Sequence, residues 1–100
     1  MVEVIRSTTY DRWVRSIKDR RVKARVLARV DRLAQGNPGD VKPVGGGISE
    51  LRIRYGPGYR VYFLQDGARL ILLLCGGDKS TQQRDINEAK RIGKEWKSNG

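Results

Sequence analysis

Two apolar rhythms alternate along this chain. Tyr10, Trp13, Val14 and Ile17 recur at i, i+3, i+4 and i+7, and Val22, Val26, Leu27, Val30, Leu33 and Ala34 resume the same spacing after Lys18-Asp19-Arg20. That period places an apolar stripe along each of two amphipathic helices. Thr8, with Asp11 three residues on, reads as a capping-box-like start, and Gly36 followed by Asn37-Pro38-Gly39 reads as the stop. The short connection predicts an αα-hairpin over about residues 8–36.

Elsewhere the period is two. Val2 to Arg6 reads as a short first strand. Leu51, Ile53 and Tyr55 alternate with Glu50, Arg52 and Arg54, which gives a strand one apolar face and one charged face. Gly56-Pro57-Gly58 turns the chain, and Val61 and Phe63 then alternate with Arg60, Tyr62 and Leu64. Asp66-Gly67 is a two-residue hairpin signal. Leu70 to Cys75 is apolar throughout, which predicts a central strand covered on both faces.

The sheet hairpins thus occupy about residues 49–76, and the Gly/Pro-rich stretch from Gly36 to Gly47 reads as loop. A last helix over about 80–96 begins near Ser80, which has capping-box spacing to Gln83. Ile86, Ala89, Ile92 or Gly93, and Trp96 supply its apolar side, and the last three or four residues read as a tail. The order is β-α-α-β-β-β-α, an α+β domain over residues 1–100 with a mainly antiparallel sheet. A chain of 100 residues supports one modest core.

Charge adds a partner class. Lys and Arg number 21 against 11 Asp and Glu, a net charge of +10, which points to a polyanion: nucleic acid, a ribonucleoprotein or an acidic protein. The excess is concentrated in residues 1–36, whose ten Lys/Arg face four Asp/Glu. The apolar positions are better used as core than as a lipid-seeking face, and no run approaches membrane-spanning length. A single cysteine, Cys75, excludes an internal disulfide and suits a cytoplasmic location. With no histidine, His-based triads and the usual zinc sites are excluded; no metal or cofactor is expected.

Three groups of residues bear on chemistry. "GGDKST" (76–81) puts Lys79 at the end of the apolar strand, yet Asp78 stands where a phosphate loop needs glycine before its lysine. Gly76-Gly77 then reads as a tight strand-to-helix turn and Ser80 as an N-cap, with Lys79 beside the helix start. Arg52 and Arg54 share one side of their strand, and the turn brings Arg54 close to Arg60, which shares a side with Tyr62. Like charges paired on a sheet repel, so such an arrangement is a candidate anion site as well as a solvated edge. On the second helix Arg21, Arg25, Arg29 and Arg32 form a stripe at i, i+4, i+8 and i+11. With almost no carboxylates at i+4, it suits a phosphate backbone as well as solvent.

With these residues the chain resembles the RelE/ParE toxin superfamily of type II toxin–antitoxin modules, most of all its addiction-module killer branch of HigB-like and RelE-like proteins. "ELRIRYGPGYRVYF" (50–63), "LILLLCGGDKSTQQRDI" (70–86) and the element order carry the resemblance over nearly the whole chain. It implies a compact RelE-like α+β fold, a cognate antitoxin of acidic or helix-turn-helix type, and the ribosome and mRNA as partners of a toxin that is a monomer when free. The basic site residues of the family carry over onto Arg52 or Arg54, Arg60 and Lys79. The tyrosine or histidine that several members place early in the last helix or tail has no match in Gln82-Gln83-Arg84-Asp85.

The implied activity is metal-independent endoribonuclease cleavage, in which a 2′-OH attacks the adjacent phosphorus. Fixed guanidinium groups would stabilise charge gathering on the non-bridging oxygens. Lys79 is then a candidate base or acid, with Tyr62 or Tyr55 for the other role or for stacking on a nucleobase. The stripe Arg21, Arg25, Arg29 and Arg32, with Tyr55, would bind RNA or the ribosome. The alternatives are a ParE-like inhibitor of DNA gyrase and a non-catalytic module that binds RNA or the ribosome.

Overall fold

Local chemistry starts and stops the helices close to the expected places. The Ser7 hydroxyl accepts a hydrogen bond from the Tyr10 N–H at 3.0 Å, so the first helix is capped one residue earlier than Thr8. At the end of the second, the Gly36 N–H donates to Leu33 and the Asn37 N–H to Arg32, with Gly36 at φ +84°. This is the Schellman arrangement, which glycine favours because it carries no Cβ.

The computed structural model describes residues 2–99. Its order is β1 (Glu3–Arg6), α1 (Thr8–Ser16), α2 (Arg20–Ala34), β2 (Val41–Gly45), β3 (Ile48–Ile53), β4 (Tyr59–Asp66), β5 (Leu70–Asp78) and α3 (Gln82–Asn99), the last preceded by a 3-10 turn at Lys79–Thr81. The class is α+β, with a five-stranded mixed sheet ordered β1-β5-β4-β3-β2. β1 runs parallel to β5, and the other neighbours are antiparallel.

The sheet separates two cores. α1 and α2 cover one face, where Tyr10, Val22, Val26 and Leu33 pack on Leu51, Ile53, Val61, Phe63, Ile71 and Leu73. α3 covers the other, where Ala89 joins Ile48, Tyr62, Leu64, Leu72, Leu74 and Cys75. β5 is therefore buried on both faces, as its unbroken apolar run predicts.

Four strands, rather than three, follow the helical hairpin. The added one, β2, lies within the stretch read as loop. It is an edge strand carrying Pro43 and a register shift between Pro43 and Gly45, and edge positions tolerate a residue without an N–H. The β4–β5 hairpin turns through three residues, Gly67 to Arg69, rather than two. Gly76 and Gly77 lie inside β5 and not in a turn, and neither has positive φ. A Cβ on Gly76 would collide with the Trp13 ring, and one on Gly77 with the Asp85 carboxylate, so these glycines permit close packing. Asp78, rather than Ser80, is the cap: its carboxylate accepts from the Ser80 N–H at 2.8 Å. α3 continues to Asn99 where a tail was expected, and Gly100 lies outside the described residues. Among the described residues, no helix is long and apolar enough to cross a membrane.

Candidate nucleic-acid interface

The β3–β4 register decides which arginines meet. Arg52 lies opposite Arg60, and Ile53 opposite Tyr59. The expected Arg54–Arg60 pairing is thus shifted by two residues, because β3 ends at Ile53 and Arg54 already belongs to the turn. The Arg54 side chain is 82% exposed and swings toward the chain before β2. There Asp40 joins the two arginines: Oδ1 accepts from Arg52 Nε (3.1 Å) and Nη2 (2.9 Å), and Oδ2 accepts from Arg54 Nε (3.0 Å). These bonds hold the Asp40 carboxyl below its ordinary pKa.

The helical stripe arrives at the same place. Arg25, Arg29 and Arg32 of α2 line a groove of about 360 Å³ together with Asp40, Arg52, Ile53 and Arg54. A second depression of 220 Å³ shares Arg52, Ile53 and Arg54 and continues to Gly58, Tyr59 and Arg60. Two basic arrays far apart in sequence therefore form one surface. Among the described residues, Asp40 is the single carboxylate lining it.

The stripe residues do different work within this surface. The Arg25 guanidinium lies 4.2 Å from the centroid of the half-buried Tyr55 ring, a cation–π contact that fixes both. Arg29 donates to the carbonyls of Arg52 (2.6 Å) and Pro38 (2.8 Å), strapping α2 to β3 and to the loop before β2. Burial, and then Arg32, lower its pKa. Arg21 is exposed near the start of α2 and does not line the groove.

Arg60 is held from beneath. Its side chain is 12% exposed, Nη1 donates to the Gly58 carbonyl at 3.3 Å, and Nε lies 3.4 Å from Glu50 Oε2 without hydrogen-bond alignment. The Lys79 N–H donates to the same Gly58 carbonyl at 2.9 Å, which ties the exposed Lys79 to the turn just before Arg60.

Tyr62 is the main correction. It was expected on an accessible face beside Arg60, but α3 covers that face and Tyr62 is fully buried. Its hydroxyl donates to Glu50 Oε2 at 2.9 Å, and Gln82 Nε2 donates to the same oxygen at 2.9 Å. Burial, followed by the bond to Glu50, raises the Tyr62 pKa strongly, so this hydroxyl is a poor proton donor or acceptor for a ligand. Cys75 is likewise withdrawn: burial pushes its thiol up to about 12.

Sequence reasoning missed three residues here. Asp40 follows a glycine in a presumed loop, Glu50 belongs to an alternation that looked solvated, and Tyr59 sits at the turn. Only the alternation of Glu50 with buried Leu51 offered a signal, and it does not say whether a polar face is wet or covered.

Chemically, the surface is a cluster of guanidinium groups, planar donors of a kind that can pair with carboxylate or phosphate oxygens. The model of the family described as "Phage derived protein Gp49-like" matches residues 12–97. An uncharacterized protein of Haemophilus influenzae is 48% identical over 94 residues, which cover 94% of this chain and 95% of that protein. A match over most of the chain, supported by this relative, shows that the chain belongs to the Gp49-like family of phage-derived proteins, a RelE/toxin-like family.

Proposed function

We propose that the protein is the toxin of a type II toxin–antitoxin module, an endoribonuclease that cuts mRNA on the ribosome and is silenced by a cognate antitoxin. The observation that carries this proposal is the convergence of arginines from α2 and β3 on one groove that continues to Arg60. Membership of a RelE/toxin-like family supports it.

In the reaction, the 2′-oxygen bonds to the adjacent phosphorus while the bond from phosphorus to the 5′-oxygen breaks. The products are a 2′,3′-cyclic phosphate and a free 5′-OH. Arg52 and Arg60, opposite each other on the ladder, stabilise charge on the non-bridging oxygens. Lys79, exposed and tethered beside Arg60, protonates the leaving oxygen as an ammonium, and water accepts the 2′-OH proton. Arg25 and Arg32 hold the flanking backbone.

Purified protein assayed on programmed ribosomes tests this. Lys79→Ala should keep the wild-type fold by circular dichroism and lose roughly two to three orders of magnitude in cleavage rate. Lys79→Arg should rescue little, because an arginine scarcely gives up its proton. Full cleavage by Lys79→Ala would reduce Lys79 to a turn residue. The burial of Tyr62 favours a second possibility, RNA binding without cleavage. Tight ribosome binding with intact mRNA would select it, and stalled gyrase with intact mRNA would replace both with a ParE-like activity.

A further inference from the structure

A separate cationic cleft lies across the sheet from the arginine groove. Lys90, Lys94 and Lys97 stand at i, i+4 and i+7 on α3, and with Gly46 and Ser98 they line a cleft of 410 Å³. Two physical features bring the lysines there. Gly93 is buried against Ile48, where an added Cβ would stand 3.1 Å from Ile48 Cδ1, so α3 can pack close to the start of β3. β2 ends at Gly45 and the hairpin turns through Gly46 and Gly47, all three glycines at positive φ. With no side chains on that turn, the Lys90 and Lys97 ammoniums rest against it: positions for a Cβ on Gly45 and Gly47 lie 3.4 Å from Lys90 Nζ and 3.3 Å from Lys97 Nζ.

The acids of α3 do not neutralise this cluster. Arg91 takes both Glu88 and Glu95, at 2.5 and 2.8 Å. Among the described residues, Lys90, Lys94 and Lys97 make no ion pair with a carboxylate. Three converging ammoniums repel one another, and an anion in the cleft relieves that repulsion.

The chemistry favours nucleic acid over a protein partner. Protein interfaces are depleted in lysine at their centres and anchored by aromatic or arginine side chains, and the residues lining this cleft include neither. Lysine is a compact point charge suited to phosphate contacts that carry no base information. The rise of the helix spaces Lys90 and Lys94 by about 6 Å, and Lys90 and Lys97 by about 10 Å, a match for successive phosphates of one strand.

We propose that Lys90, Lys94 and Lys97, with the glycine turn, form a second binding site for the phosphodiester backbone of RNA. It lies beside the start of β3, whereas Arg52 lies near that strand's end and Arg54 just past it, roughly 13–20 Å along the chain, and the two surfaces are on the sides of different helices. An RNA must wrap around the domain, or present two segments, to reach both. The proposal rests on the functional proposal above only in taking RNA as the polyanion.

The experiment measures binding of a 40-nucleotide single-stranded RNA across a salt series for three full-length proteins: wild type, K90Q/K94Q/K97Q, and Arg25→Gln/Arg54→Gln. Backbone amide shifts of Gly45, Gly46 and Gly47 are followed in parallel. Loss of three phosphate contacts should lower the slope of log affinity against log salt by about 2. The three glycine amides should move on RNA addition in wild type and in the Arg25/Arg54 variant. An unchanged slope in the lysine variant, with a reduced one in the arginine variant, overturns this inference and leaves the functional proposal standing. The reverse pattern upholds the inference and overturns the arginine groove as the RNA site. No RNA binding by wild type at low salt overturns both. If inorganic phosphate alone moves the glycine amides as far as RNA at equal phosphate concentration, the cleft holds free anions and not a strand. If poly-glutamate displaces RNA and binds more tightly, the partner is an acidic protein.

Discussion

Replacing Glu50 by alanine would test whether α3 and the arginine face are held by one buried carboxylate. Glu50 is 1% exposed, and its Oε2 is shared by Tyr62, Gln82 and Arg60. Tyr62 is fully buried, so its hydroxyl cannot turn to solvent, and leaving it unpaired costs about 1–3 kcal/mol. Removing one partner of a buried ion pair costs roughly 3–5 kcal/mol, but Arg60 keeps 12% exposure and its bond to Gly58, which places its share below that range. Gln82 is half-buried and recovers water. The sum for Glu50→Ala is about 3 kcal/mol of lost stability, or roughly 12–24 °C in Tm for a domain of this size.

The logic is sharper in a cycle, measured by urea denaturation. Glu50→Gln keeps an acceptor for Tyr62 and should lose only about 1–2 kcal/mol. Adding Tyr62→Phe to Glu50→Ala removes the orphaned hydroxyl and should restore about 1 kcal/mol relative to Glu50→Ala alone. A Glu50→Ala protein less than about 1 kcal/mol below wild type would show that the pair contributes little beyond its own desolvation. Strict additivity of the two substitutions would show that Tyr62 and Glu50 are not coupled.

Arg29→Ala should destabilise the protein by about 2 kcal/mol, because both guanidinium bonds strap α2 to backbone carbonyls, while Arg25→Ala should weaken RNA binding with little change in Tm; equal Tm values for the two variants would overturn this division of labour. The folded-state carboxyl of Asp40 is depressed, so its contribution to stability is complete above the unfolded value of about 3.9 and is lost as pH falls below it. Denaturation between neutral pH and about pH 3 should therefore show a steeper acid loss in wild type than in Asp40→Asn, and parallel profiles would refute the assignment. Gly77→Ala should cost about 1–3 kcal/mol by forcing Asp85 and Thr81 away, and a neutral result in thermal melts would show that this contact gives way easily.

The helices and the central strand were legible in the sequence because each rests on a local pattern. The i, i+3, i+4 spacing of Tyr10, Trp13 and Val14 specifies a helix wherever it is placed, and Leu70 to Cys75 has no polar face to expose. The basic stripe and the arginines of β3 were likewise visible as residues. Their convergence was not, since nothing local says that α2 crosses beside the end of β3.

Tertiary structure decided the rest. Val41 to Gly45 is a strand only because β3 supplies its ladder, and its Pro and Gly content reads as loop until that neighbour is present. Alternation marked Glu50 and Tyr62 as sharing a face with Arg60, but whether that face is wet depends on α3, which begins more than twenty residues after Tyr59. The same holds for Gly76 and Gly77: a glycine pair means a turn or a close approach, and the choice was made by Trp13 and Asp85, which arrive from helices on opposite sides of the sheet. Periodicity reports which residues share a face; only packing determines what that face meets.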